Sequence, residues 1–122
     1  MRYSYSSFWT EKARELAEKA GMKHINPGRI SVIESNGSKT RRVIARIHSL
    51  GKAMQLGMNE EAFYVIELIS ERFNKLSERE KTETIVHELL HIPHSFAGGF
   101  RHHKPFVNKE TVEKAMERLT YT

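Results

Sequence analysis

Apolar positions recur at helical spacing in three stretches of this chain and crowd together without interruption in a fourth. The first stretch holds Phe8, Trp9, Ala13, Leu16, Ala17 and Ala20, the i, i+3, i+4, i+7 signature of a helix with one buried face. Ser7 or Thr10 can cap it, Gly21 supplies its stop, and Trp9 anchors it to the body. The second stretch holds Ile85, Val86, Leu89, Leu90 and Ile92. It begins after Ser77-Glu78-Arg79-Glu80, an S-x-x-E capping box that satisfies orphan amides at a helix start, and Pro93 ends it. The third, about Lys109–Leu119, is capped by Asn108 and buries Val112, Ala115, Met116 and Leu119.

The uninterrupted run is Ala62–Ile69, AFYVIELI, rich in β-branched and aromatic residues like a strand covered on most of its surface. Arg29–Glu34, after the turn signal Asn26-Pro27-Gly28, predicts another strand through Ile30, Val32 and Ile33. Asn36-Gly37-Ser38 then predicts a hairpin turn into a further strand at Arg42–His48. Residues 1–6 are polar and Tyr-bearing and are expected to be loosely ordered. Leu50–Asn59 reads as a short helix or an irregular link, and Ser70–Leu76 as a turn or short helical piece. No repeat, low-complexity tract or linker divides residues 1–122. The expectation is one α+β domain, about three helices on a short three- or four-stranded sheet.

Composition narrows the chemistry. The chain lacks Cys, which excludes disulfides, thiolate zinc sites and a cysteine nucleophile, and fits a reducing cytoplasm. It also lacks Asp, so EF-hand loops, Asp dyads and Ser-His-Asp triads are excluded and a glutamate remains for acid–base work. No apolar run approaches the roughly 18 residues of a membrane span, and MRYSYSSFW has no signal-peptide core. A soluble, cytoplasmic protein is expected. The net charge of +5 raises the question of nucleic acid, but the basic residues are interleaved with Glu at helical spacing, as solvated helix faces are.

Five of the seven histidines fall between Thr82 and Phe106. His87-Glu88-Leu89-Leu90-His91 is an H-E-x-x-H pattern on the second helix. Residues four apart share a helix face, so His87 and His91 can grip one ion, and two neutral imidazoles suit zinc. Glu88, about 100° round the helix, can reach a water at that ion. Catalytic zinc usually takes a third protein ligand and leaves one position open. The metzincin spacing would need a histidine where Ala97 stands. His94 follows Pro93 too closely to bend back with ease. The Gly98-Gly99 pair lets the chain turn and deliver His102 or His103; Glu110 and Glu113 on the last helix are weaker alternatives.

The run from Phe63 to Val107, FYVIELISERFNKLSEREKTETIVHELLHIPHSFAGGFRHHKPFV, resembles a phage and archaeal metallopeptidase family. It is similar, at a greater distance, to SprT-like and small gluzincin zinc proteases. The resemblance implies a small zincin-like fold, Zn2+ held by His87 and His91, and Glu88 as the catalytic base. Aligning on the family's Gly-Gly-Phe turn favours His103 as third ligand; aligning Phe106 with the SprT-like pattern favours His102, the runner-up. SprT-like proteins often add a cysteine-rich ribbon for DNA, and this chain has none.

Three functions follow from these residues. The first is zinc metallopeptidase action on a peptide or protein substrate, by a zinc-activated water with Glu88 as general base. In that reading Phe63–Leu68 forms the sheet edge that aligns the substrate, and the spare histidine, Tyr64 or Arg101 steadies the oxyanion. The second is a catalytically silent zinc-binding module. The third is a metal-dependent nuclease, which the basic pI favours; a three-histidine RNase pattern would again need a histidine where Ala97 stands.

Overall fold

A computed structural model describes residues 1–120 of the chain. In order, its elements are β1 (Arg2–Tyr5), α1 (Ser7–Lys19), β2 (Ile30–Asn36), β3 (Ala45–Ser49), α2 (Lys52–Met58), β4 (Tyr64–Ile69), α3 (Ser70–Phe73), α4 (Glu78–Leu90), α5 (His103–Phe106) and α6 (Lys109–Thr120). The fold is α+β, as expected: α1, α4 and α6 are the long helices and the sheet has four strands in the order β1-β2-β4-β3. β2 runs parallel to β4, and β1 and β3 run antiparallel on the two outsides. No described helix is long and apolar enough to cross a membrane.

Three expectations about the sheet are corrected. Residues 1–6 are not loosely ordered: Tyr3 and Tyr5 pair with Ser35 and Ile33, and aromatic residues at alternate positions suit a pleated edge. Asn36-Gly37-Ser38 is no hairpin turn, because β2 and β3 are not neighbours; β4 lies between them. For the same reason Phe63–Leu68 is not the sheet edge. An almost wholly apolar strand belongs inside a sheet, and the edge beside β4 falls to β3 with its polar Arg46 and His48.

The core lies between one sheet face and the helices. Ile30, Val32, Tyr64, Ile66 and Leu68 meet Leu16 and Ala17 of α1 and Ile85, Val86 and Leu89 of α4, all buried. At about 1.5–3 kcal/mol for each large apolar side chain buried, these contacts fix the rotation of α4 about its axis. The cap of α1 is Ser6, whose hydroxyl accepts from the Trp9 amide, rather than Ser7 or Thr10. Thr10 instead ties the helix to β2, accepting from the Val32 amide at 2.8 Å. Trp9 packs edge-on to Phe73 with ring centres 5.2 Å apart.

The other sheet face is polar at its centre. Glu67 is buried there, accepting a hydrogen bond from the Ser35 hydroxyl at 2.6 Å and lying 2.8 Å from His48 Nε2. Arg46 stands at 3.7 Å, too long for a hydrogen bond, and its buried Nε has no other partner among the described residues. Burial alone would raise the Glu67 pKa, but these hydrogen bonds and the Arg46 charge together hold it below its ordinary value.

Candidate metal centre

α4 starts where its sequence says it should. The Ser77 hydroxyl accepts from the Glu80 amide and the Glu80 carboxylate accepts from the Ser77 amide, closing the capping box. With Ile85, Val86 and Leu89 turned into the core, His87 and His91 share the remaining side of the last turns. The helix ends at Leu90 with His91 as its C-cap, and Pro93 follows.

Beyond the helix, Gly98 and Gly99 both adopt positive φ, +106° and +78°, which glycine reaches without a steric penalty. A Cβ at Gly98 would lie 3.1 Å from Gln55 Nε2 and 3.3 Å from the Leu50 carbonyl oxygen. The turn is pinned from three sides. The Tyr64 hydroxyl donates to the Gly99 carbonyl and accepts from the Gly98 amide, both at 3.0 Å. Ser49 Oγ accepts from the Gly99 amide at 3.2 Å, and Gln55 Nε2 donates to the Ala97 carbonyl at 3.0 Å. Tyr64, one of three candidates for steadying an oxyanion, is fully buried, with its hydroxyl engaged as donor and acceptor in the turn. Tyr64, Ser49 and Gln55 carried no sequence signal for this support.

The pinned turn brings the chain back against the helix end. The Arg101 amide donates to the His91 carbonyl at 2.8 Å, and His91 Nδ1 lies 2.9 Å from the Arg101 carbonyl. A carbonyl only accepts, so Nδ1 carries the proton and Nε2 is left as the free ligand atom. His87, His91 and His103 then form one group, their ligand nitrogens all within 4.8 Å of one another. Ring centres are 5.1 Å apart for His87–His91, 5.6 Å for His87–His103 and 4.7 Å for His91–His103. His102 borders the cleft but is outside this group. His94 stacks face to face on His24, ring centres 4.3 Å apart, and Glu110 pairs with Lys114 at 3.3 Å on the exposed side of α6.

The donor set fits a divalent metal. Burial, then the neighbouring His91 and His103, depress the His87 pKa to about 4, and burial together with His103 also lowers that of His91 despite the Arg101 carbonyl. Both imidazoles are thus neutral near pH 7, the form that ligates. A tetrahedral ion bound at about 2.0–2.1 Å holds its nitrogens roughly 3.4 Å apart, so modest ring movement closes the set. Glu88 is buried beside it and makes no hydrogen bond or ion pair among the described residues; burial pushes its pKa up to about 7. All four side chains open onto a cleft of about 610 Å3 between α4 and the segment from Arg42 to Ile47.

The free rim of β3 forms one wall of this cleft. The Ile69 amide donates to the Ile44 carbonyl and the Leu50 amide to the Phe63 carbonyl. In an antiparallel ladder residues alternate, so Arg46 and His48 also bond to β4. The N–H and C=O groups of Ala45 and Ile47 therefore point away from the sheet, toward the rim. The charged residues of Arg42–His48 were the signal for an edge.

A family model described as "Putative phage metallopeptidase" matches residues 1–117. No curated protein and no solved structure matches the chain.

Proposed function

The chain belongs to this phage metallopeptidase family, and on that premise we propose that it is a zinc-dependent peptidase, with residues 1–122 acting as one domain. The observation that carries the reading is the convergence of His87, His91 and His103 beside a buried, unpartnered Glu88, at the open rim of a sheet. His87, His91 and His103 would hold the ion, with the Arg101 carbonyl fixing the tautomer of His91. Bound there, zinc supplies Lewis acidity, bringing the loss of a water proton near neutral pH and polarising a carbonyl.

The remaining steps belong to the protein. An extended peptide lies along β3, aligned by the outward N–H and C=O groups of Ala45 and Ile47. Glu88 accepts the proton of the attacking water and returns it to the leaving amine. Its burial keeps bulk water from competing for that proton. His102, which borders the cleft, faces the developing oxyanion.

The test is Glu88→Gln assayed with added Zn2+ on a diverse peptide library. The variant should keep its metal and lose about 10²–10⁴-fold in turnover. Undiminished cleavage removes Glu88 as the base. Metal binding without turnover in either protein points instead to a silent zinc module.

A further inference from the structure

The cleft beside the three histidines carries more positive charge than metal binding uses. Arg42, Arg46 and Arg101 all border it, and Glu88 is the sole acidic side chain among its described lining. Arg46 is answered by Glu67 on the far sheet face. Arg42 and Arg101 are answered by nothing: no carboxylate among the described residues lies within ion-pair distance of either. Arg42 is exposed just ahead of β3, on the strand side of the cleft. Arg101 stands beside His91, its guanidinium held over the Phe106 ring at 4.7 Å. A guanidinium stacked on a ring keeps its edge N–H groups for a planar acceptor such as a carboxylate. Unpaired cations in a cleft also concentrate anions from solution.

We propose that the cleft selects acidic peptides, whose Asp or Glu side chains close to the cleaved bond are received by Arg42 and Arg101. The inference rests on the peptidase reading above, and it names the substrate class of that site. A chain laid along β3 advances about 3.3 Å per residue, so side chains a few positions to either side of the reacting carbonyl come within reach of a long arginine.

The experiment uses the full chain with added Zn2+ and two peptides, identical except that Glu residues flanking the cleaved bond in one are Gln in the other. Turnover is measured for the wild type, Arg42→Gln and Arg101→Gln; dissociation constants for both peptides are measured on Glu88→Gln. The wild type should favour the Glu peptide by about tenfold in kcat/KM at low salt. That ratio should fall toward one in each arginine variant and at about 0.5 M salt, where charges are screened within a few ångströms. A ratio near one in the wild type, or one unchanged in both arginine variants, overturns the proposal. So does tighter binding of a single-stranded RNA than of the Glu peptide, if Arg42→Gln abolishes it. Preferential binding of the Glu peptide without turnover of either peptide supports acid selection and defeats the peptidase reading alone.

Discussion

The helix that presents His87 and His91 is specified by signals within its own sequence, whereas the turn that leads to His103 is held by residues 34 to 50 positions away. The capping box of α4 closes over three residues, and its buried face is one periodic stripe. The turn depends on a tyrosine from β4, a serine from β3 and a glutamine from α2. Two of the proposed ligands on a rigid helix and the third on a borrowed support give a site whose halves should fail differently. Damage to the helix start costs stability; damage to the turn costs metal.

The largest effect should come from removing a ligand outright. His87→Ala should weaken zinc binding by more than the roughly 10–100-fold that loss of a supporting residue costs, measured by competition with a chelator. Gly98→Ala comes next, because a Cβ would press on Gln55 and the backbone sits at φ +106°. It should destabilise by more than about 1 kcal/mol and also lower zinc affinity. Tyr64→Phe leaves the Gly98 amide and Gly99 carbonyl without their partner, at about 1–3 kcal/mol in denaturant unfolding. Zinc affinity should fall about tenfold with it, through the loosened Arg101–His91 contact. Ser77→Ala should cost about 1 kcal/mol and leave zinc affinity unchanged. Equal loss of metal affinity in the Ser77 and Tyr64 variants would erase the distinction between the two halves.

Glu67 offers a control outside both. Its pKa is lower folded than its ordinary value of 4.5. Such a carboxyl stabilises above the unfolded pKa and gives that up as pH falls through the folded one. Melting temperature should therefore drop below about pH 4.5, less steeply in Glu67→Gln, with no change in zinc affinity at pH 7.

The same contrast explains what could be read from the chain alone. Ser77, Glu80, the Ile85–Leu89 stripe and Pro93 are local signals, so α4 and the spacing of His87 and His91 were legible. Sheet order was not, because pairing of Tyr5 with Ile33 or Ala45 with Leu68 joins segments with no mark of each other. That is why β3 rather than Phe63–Leu68 lies on the rim, and why Tyr64 turned out to be structural. His102 and His103 differ by one residue, and the backbone set by Gly98 and Gly99 determines which of them joins the helix pair.

A rim left open for one extended chain is open to any, including the same strand of another molecule. Laid antiparallel, two copies of β3 would bring Arg42 and Arg46 of each toward their counterparts, like charge against like. The guanidinium groups that would welcome an acidic guest thereby set a repulsion against a twin on the same rim.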